Sequence, residues 1–201
     1  LKEKKTLYSQ VLDPGIVKKL MEFGMEEGAM IHVLSERSIV QKDQQSHMAD
    51  FHMGIYQTMF DQITDKLENI YNSFCEEPFP VLKLNLYHRD EASRARTVER
   101  IKAASLETAL ALAESTSLEC SAKGIDKGVG LKKLCEHLGL PLEQTIAVGD
   151  ADNDTMALKT AGLAVAMGNA TEPIKALADV IVADCDHNGC AEAIDKYLLA
   201  D

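Results

Sequence analysis

The sequence predicts an α/β protein in two parts: a parallel sheet wrapped by helices over the last third, preceded by an α+β unit. Three observations carry this. From Gly124 onward, helical stretches and short apolar strands alternate at regular spacing, the pattern of βαβ units. Before Gly124 the apolar runs are mixed with irregular polar stretches, and VLKLNLYH (81–88) alternates leucine with polar residues as a β-strand does. With 201 residues the chain can bury a core and hold one domain or two small ones. The division is placed at residue 120, giving units 1–120 and 121–201.

In the first unit TLYSQV (6–11) reads as a strand, and Asp13-Pro14 opens a helix through Glu27, because Asp caps a helix and Pro suits its first turn. MIHVLSE (30–36) and SIVQK (38–42) read as strands. Residues 61–75 read as one helix, with Ile63, Leu67, Ile70 and Phe74 on a common face. A helix over 91–103 and a strand pair, LALAEST (110–116) and SLECSA (117–122), complete an α+β unit with several antiparallel strands. In the second unit a helix over 127–138 stops at Gly139, with Pro141 beyond it. TIAVGD (145–150), a helix over 153–161 closed by Gly162, LAVAMG (163–168), a helix over 171–178, DVIVAD (179–184) and a last helix over 188–199 follow. Three strands make a thin sheet for this architecture, so the core reads as incomplete.

Composition narrows the function. A formal net charge of −11 argues against a nucleic-acid binder, which needs a basic face. A phosphorylated small molecule stays possible, since a local metal or lysine can outweigh the global field. The five cysteines form no CxxC pair, and their odd number suits a reduced, cytoplasmic protein better than a disulfide framework. No apolar stretch approaches the ~20 residues of a membrane span. LKEKKTLYSQ has no signal-peptide pattern and does not begin with methionine, which suggests a trimmed or partial chain.

The segment Gly149-Asp150-Ala151-Asp152-Asn153-Asp154 directly follows an apolar strand and opens a helix. It therefore lies at the carboxyl edge of the sheet, where open α/β folds bind ligands. Three carboxylates in five residues repel one another unless a cation sits among them, and magnesium suits oxygen ligands beside a phosphate. The other reading is that Asp152 caps the helix and the rest face solvent. Lys127 stands in the first turn of a helix capped by Asp126, where a cation opposes the helix dipole. It is either a solvated lysine or an ammonium that holds carboxylate and phosphate together. Asp184-Cys185-Asp186 also follows a strand, but Asn188 and the short remaining chain fit a polar loop capping the last helix better than a nucleophile pair. His47 and His52 are five apart and share no helix face. Arg89, Arg94, Arg96 and Arg100 read as a solvated face, and Met21, Met25, Met48, Met53 and Met59 as packing.

GIDKGVGLKKLCEHLGL, TIAVGDADNDTMAL and GLAVAMGNATEPIKALADVI, with Asn188-Gly189 before the last helix, together resemble the Cof-type phosphatases of the haloacid dehalogenase superfamily. The close likeness covers residues 124–191; the first 120 residues are similar to that family's cap only in general pattern. The resemblance implies a Rossmann-type parallel sheet with a large α+β cap of type C2, and attack by an aspartate on a phosphate ester with Mg2+ as cofactor. It implies Asp150 as a metal ligand, Asp154 as a further ligand or support, Asn153 as a contact to the substrate phosphate, and Lys127 as binding that phosphate and the nucleophile. The cap would select the substrate, a small phosphorylated metabolite such as a sugar phosphate. The family's DxDGT motif, with nucleophile and general acid/base, and its following Ser or Thr motif are not in this sequence. TLYSQVLDPGIVKKL is similar to the family's cap entry, so these motifs are expected upstream. The chain alone is then expected to fold poorly and to be unable to turn over substrate. A non-catalytic phosphate-ligand binder that keeps part of the fold, and a receiver-type signalling domain, are the alternatives.

Overall fold

The computed structural model describes residues 6–113 and 116–199. It divides into two compact units: Gln10–Gly124, and the chain from Ile125 onward together with the segment ending at Ser9. The division falls after Gly124 because the last strand of the first unit runs on to Ala122.

The first unit contains α1 (Pro14–Glu26), β1 (Met30–Leu34), β2 (Ser38–Gln41), α2 (Lys42–Gln45), α3 (Gln57–Ile63) and β3 (Asp65–Leu67). It continues with α4 (Ile70–Glu76), β4 (Lys83–Tyr87), α5 (Glu91–Ala103), β5 (Thr108–Ala113) and β6 (Ser117–Ala122). Its six strands form one sheet in the order β3-β2-β1-β4-β6-β5, antiparallel except for the β2–β3 pair. The two-residue period of β4 sends Leu84 and Leu86 to one face, where both are fully buried along with Ile31 and Val33 of β1, Leu118 of β6 and Val17, Leu20 and Met21 of α1. Asp13 caps α1 through bonds from the Gly15 and Ile16 amides, as the Asp-Pro pair predicts. A second apolar cluster on this unit gathers Met30, Val40, Met48, Phe51, Met53, Phe60 and Tyr87.

Several expectations need correction. TLYSQV is not a strand: residues 6–11 are all exposed, so the stretch has no apolar face to bury, and only at Leu12 does the backbone join the unit, bonding to the Val81 carbonyl at 2.8 Å. The single helix over 61–75 is broken. Ile63 is 58% exposed, Thr64 is extended, β3 adds to the sheet edge beside β2, and Asn69 caps a new helix through the Asn72 amide. A β-branched threonine and an asparagine cap here override the apolar spacing. Of the expected strand over 110–116, Glu114 and Ser115 lie outside the described residues, and pairing starts earlier, at Thr108. Arg96 and Arg100 are not merely solvated: they pair with Glu27, at 2.7 and 3.3 Å, and the Glu27 side chain is only 7% exposed. Met21, Met48 and Met53 are packed inside, whereas Met25 and Met59 are exposed.

The second unit contains α6 (Lys127–Leu138), β7 (Ile146–Gly149), α7 (Thr155–Thr160), β8 (Leu163–Ala166), α8 (Glu172–Lys175), β9 (Val180–Ile181) and α9 (Gly189–Ala193), which passes into a π-helical turn over Ile194–Leu198. Its three strands are parallel, in the order β7-β8-β9. The thin parallel sheet predicted from the alternation is thus present, with a core of Leu158, Val165, Ala166, Ile174 and Ala193. The strand expected over 179–184 pairs only at Val180 and Ile181. Beyond them Asp184 folds back to accept from the Asp186 and His187 amides and caps that short turn rather than the final helix.

Candidate active site

β7 ends at Gly149, and the chain turns there through a 3-10 turn over Asp152–Asp154 before α7 begins. Asp154 is swung back over the strand end. It is 8% exposed, and its Oδ2 accepts from the amide of Asp150 at 3.1 Å and from that of Ala151 at 3.5 Å. Gly149 makes room for this, since a Cβ there would stand 2.5 Å from the Asp154 Cβ. The carboxylate thus closes its own turn. Asp154 stands at the N-cap of α7 but makes no side-chain cap bond to that helix; its carboxylate bonds instead to the two amides ahead of the turn.

Asp126 caps α6 by accepting from the Val129 amide at 2.8 Å, which sets Lys127 in the first turn. Lys127 Nζ lies 2.5 Å from Asp154 Oδ1. Gly128 allows the approach: a Cβ there would be 2.5 Å from the carbonyl oxygen of Met156 in α7, so α6 and α7 meet backbone to side. Without a side chain at 128, the ammonium reaches the strand end.

Asp150 is exposed at the carboxyl edge of β7. Its Oδ2 accepts from Asn169 Nδ2 at 3.2 Å, its backbone carbonyl accepts from the Thr171 amide, and Asn169 Oδ1 accepts from the Cys185 amide at 3.0 Å. Asn169 therefore ties Asp150 to the loop beyond β9. Sequence reasoning had not singled it out. The signal was its place in the loop past β8 and Gly168, three residues beyond Ala166, at the same rim of the sheet that Asp150 occupies directly after β7.

Lys127, Asp154 and Asp150 are thus brought together, the first two by side chains and the third through its backbone amide. Asn153 sits half-buried in the turn between them, and no hydrogen bond among the described residues links its side chain to the other three. Both oxygens of Asp154 are engaged, while the carboxylate of Asp150 stands exposed at the rim with Asn169 on its Oδ2. Among the described residues no three His, Cys, Asp or Glu side chains form a metal-binding group. The oxygen donors still fit magnesium in kind, since that ion is commonly held by one or two carboxylates together with water and phosphate oxygens.

Three comparisons bear on this arrangement. A family model for haloacid dehalogenase-like hydrolases matches residues 1–194. The phosphatase YwpJ of Bacillus subtilis is 46% identical over 83 residues, covering 41% of this chain and 29% of that protein. A 5-amino-6-(5-phospho-D-ribitylamino)uracil phosphatase, YcsE of the same organism, is 36% identical over 118 residues, covering 59% of this chain and 47% of that protein. The matched stretch thus spans less than half the length of either relative. The solved structure of the subclass IIB sugar phosphatase BT4131 superposes with a TM-score of 0.79 at 20% identity, over 98% of this chain and 72% of that one, a likeness of fold alone.

Proposed function

Because this chain belongs to the haloacid dehalogenase-like hydrolase family, we propose that the full-length protein is a magnesium-dependent phosphatase of small phosphorylated metabolites such as sugar phosphates. The observation that carries the reading is the contact of Lys127 Nζ with Asp154 Oδ1 at 2.5 Å, beside Asp150 at the carboxyl rim of a parallel sheet. A lysine set against the helix dipole, and fixed by a nearly buried carboxylate, is placed for an anionic group at that rim. In the proposed reaction an aspartate carboxylate of the family's DxDGT motif, outside this sequence, forms a bond to phosphorus as the phosphorus–ester oxygen bond breaks, and the leaving oxygen takes its proton from the second carboxylic acid of that motif. Water then hydrolyses the acyl phosphate. Bound magnesium would supply charge neutralisation and alignment of the phosphoryl oxygens.

This chain's residues supply the rest. Lys127 neutralises charge on the phosphoryl oxygens while Asp154 fixes its ammonium. Asp150 is the carboxylate that would hold the ion, and Asn169 keeps that carboxylate oriented. Asn153 is the proposed donor to the substrate phosphate. The unit Gln10–Gly124 would act as the substrate-selecting cap, and the thiols Cys75, Cys120, Cys135, Cys185 and Cys190, all free, support the proposed cytoplasmic setting.

In the full-length protein, Asp150→Ala should abolish magnesium-dependent hydrolysis of an aryl phosphate and the thermal upshift given by magnesium, with an unchanged circular dichroism spectrum. Full activity in that variant would overturn the assignment.

A further inference from the structure

The six-stranded sheet of the unit Gln10–Gly124 ends in two edges that are built differently. At one edge β3 is only three residues long, Asp65–Leu67, and its charges are engaged: Arg37 pairs with Asp65 at 2.5 Å and Lys66 with Asp61 at 3.5 Å. A short, charged strand keeps a sheet from adding strands of other chains. At the other edge β5, TALALA (108–113), runs six residues without a charge or a proline. Its register to β6 is unbroken from Thr108 to Ala113, so no bulge turns it aside. The sequence of β5 carries none of the devices that discourage strand addition.

Its side chains say what kind of surface this is. Leu110 stands opposite Cys120 and Leu112 opposite Leu118. Directly opposed residues share a face, and Cys120 and Leu118 are fully buried, so both leucines belong to the apolar layer between the sheet and α1. They lie at its rim: Leu110 is half-buried and Leu112 is 42% exposed. Ala109, Ala111 and Ala113 take the opposite face and put no bulk in the way of an approaching strand. The order of residues then says what fits there. Residues 109–113 read Ala-Leu-Ala-Leu-Ala in either direction. An antiparallel copy turned about a two-fold axis at Ala111 sets Ala111 against Ala111, Leu110 against Leu112 and Ala109 against Ala113, and each apolar layer runs on into the other. A slip of one residue would send the leucines to opposite faces. Charge agrees with this register. Glu107, paired with Lys123 at 2.5 Å on the surface, falls at opposite ends of the joined strands in the two copies, so like charges do not meet.

We propose that β5 is the docking edge for a second copy of this chain, which adds its own β5 antiparallel about a two-fold axis at Ala111 and joins two six-stranded sheets into one. A six-residue strand spans about 20 Å, too little to bury the roughly 1,200 Å2 of a stable interface. The dimer is therefore reversible, with a dissociation constant in the micromolar range. Every residue used lies in one unit, so the inference does not rest on the phosphatase reading.

Sedimentation equilibrium of the full-length protein should show a monomer–dimer equilibrium. Leu112→Lys sets a charge in the joint and should raise the dissociation constant at least about tenfold. Ile63→Lys removes another exposed apolar side chain, on α3, and should leave it unchanged. Ala111→Cys reads the register even if Leu112→Lys fails to fold. Opposed residues of an antiparallel pair stand about 4.5–5.5 Å apart between Cα atoms, within disulfide reach, so mild oxidation should cross-link that variant into a covalent dimer. In Ala109→Cys the two new thiols would lie four residues apart along the joint, about 14 Å, and should not cross-link. The proposal is overturned if the wild type stays monomeric to about 1 mM, if folded Leu112→Lys dimerises as the wild type does, if Ile63→Lys abolishes the dimer, or if Ala109→Cys cross-links as readily as Ala111→Cys. None of these outcomes bears on the Asp150→Ala result, and the reverse also holds.

Discussion

Lys127 leans on a carboxylate whose other oxygen already accepts two backbone amides, so the two partners contribute unequally. The lysine side chain is 53% exposed and that of Asp154 12%. Solvent screens most of such a pair, and Lys127→Met should lower stability by less than about 1 kcal/mol. It should lower kcat at least ~100-fold, if its ammonium meets charge that develops only in the transition state. Urea titration and steady-state kinetics on the full-length protein separate the two effects. Asn169→Ala should leave the fold intact and weaken magnesium binding by about 10-fold or more, the range for groups that orient a ligand, as read by calorimetry. Asp150, Asp154 and Lys127 were legible because a strand end, a turn and a capped helix start each leave a mark in sequence. Asn169 was not, since a lone asparagine after a strand reads equally as a turn.

Helix α6 approaches α7 only because position 128 lacks a Cβ. Gly128→Ala would put a methyl group 2.5 Å from a backbone oxygen, which the chain can relieve only by moving the helices apart. A loss of about 1–3 kcal/mol is expected, measured by thermal or urea unfolding, with a larger loss of activity than of stability because Lys127 rides on the displaced helix. Elements whose ends are marked by caps were read to the residue: α5 by Asp90, α6 by Asp126 and Gly139. Elements defined by tertiary pairing were not. β3 exists because β2 offers an edge to a three-residue stretch, and no pattern that short distinguishes a strand from a helical turn. The same holds for β9, where two residues pair and the remaining apolar positions run on as loop.

At the scale of the whole molecule, the change from an irregular to a regular rhythm near Gly124 exposed both the parallel sheet and its thinness. The polar row of His32, Asn85 and Glu119 across β1, β4 and β6 stayed hidden, because alternation tells which residues share a face but not which face is covered. Two buried histidines, on different faces of that sheet, make stability depend on pH. His32 titrates at about 4 in the fold against the usual 6.5, and burial lowers His88 as well. His32 stays neutral in the fold while the unfolded chain takes up a proton as pH falls from 6.5 towards 4, and the lowered His88 adds in the same direction. Stability is therefore full above 6.5 and is lost below it, by up to about 3 kcal/mol for His32. His32→Gln should flatten that slope in urea midpoints taken across the window. A last consequence follows from β7. Among the described residues it pairs on one side only, with β8, yet Val148 in its middle is 37% exposed. A free edge bearing an apolar side chain is a template for another strand. Expressed alone, this chain should self-associate with rising concentration in light scattering. Val148→Lys should suppress that association beyond the β5 dimer, since a charge on the edge blocks strand addition.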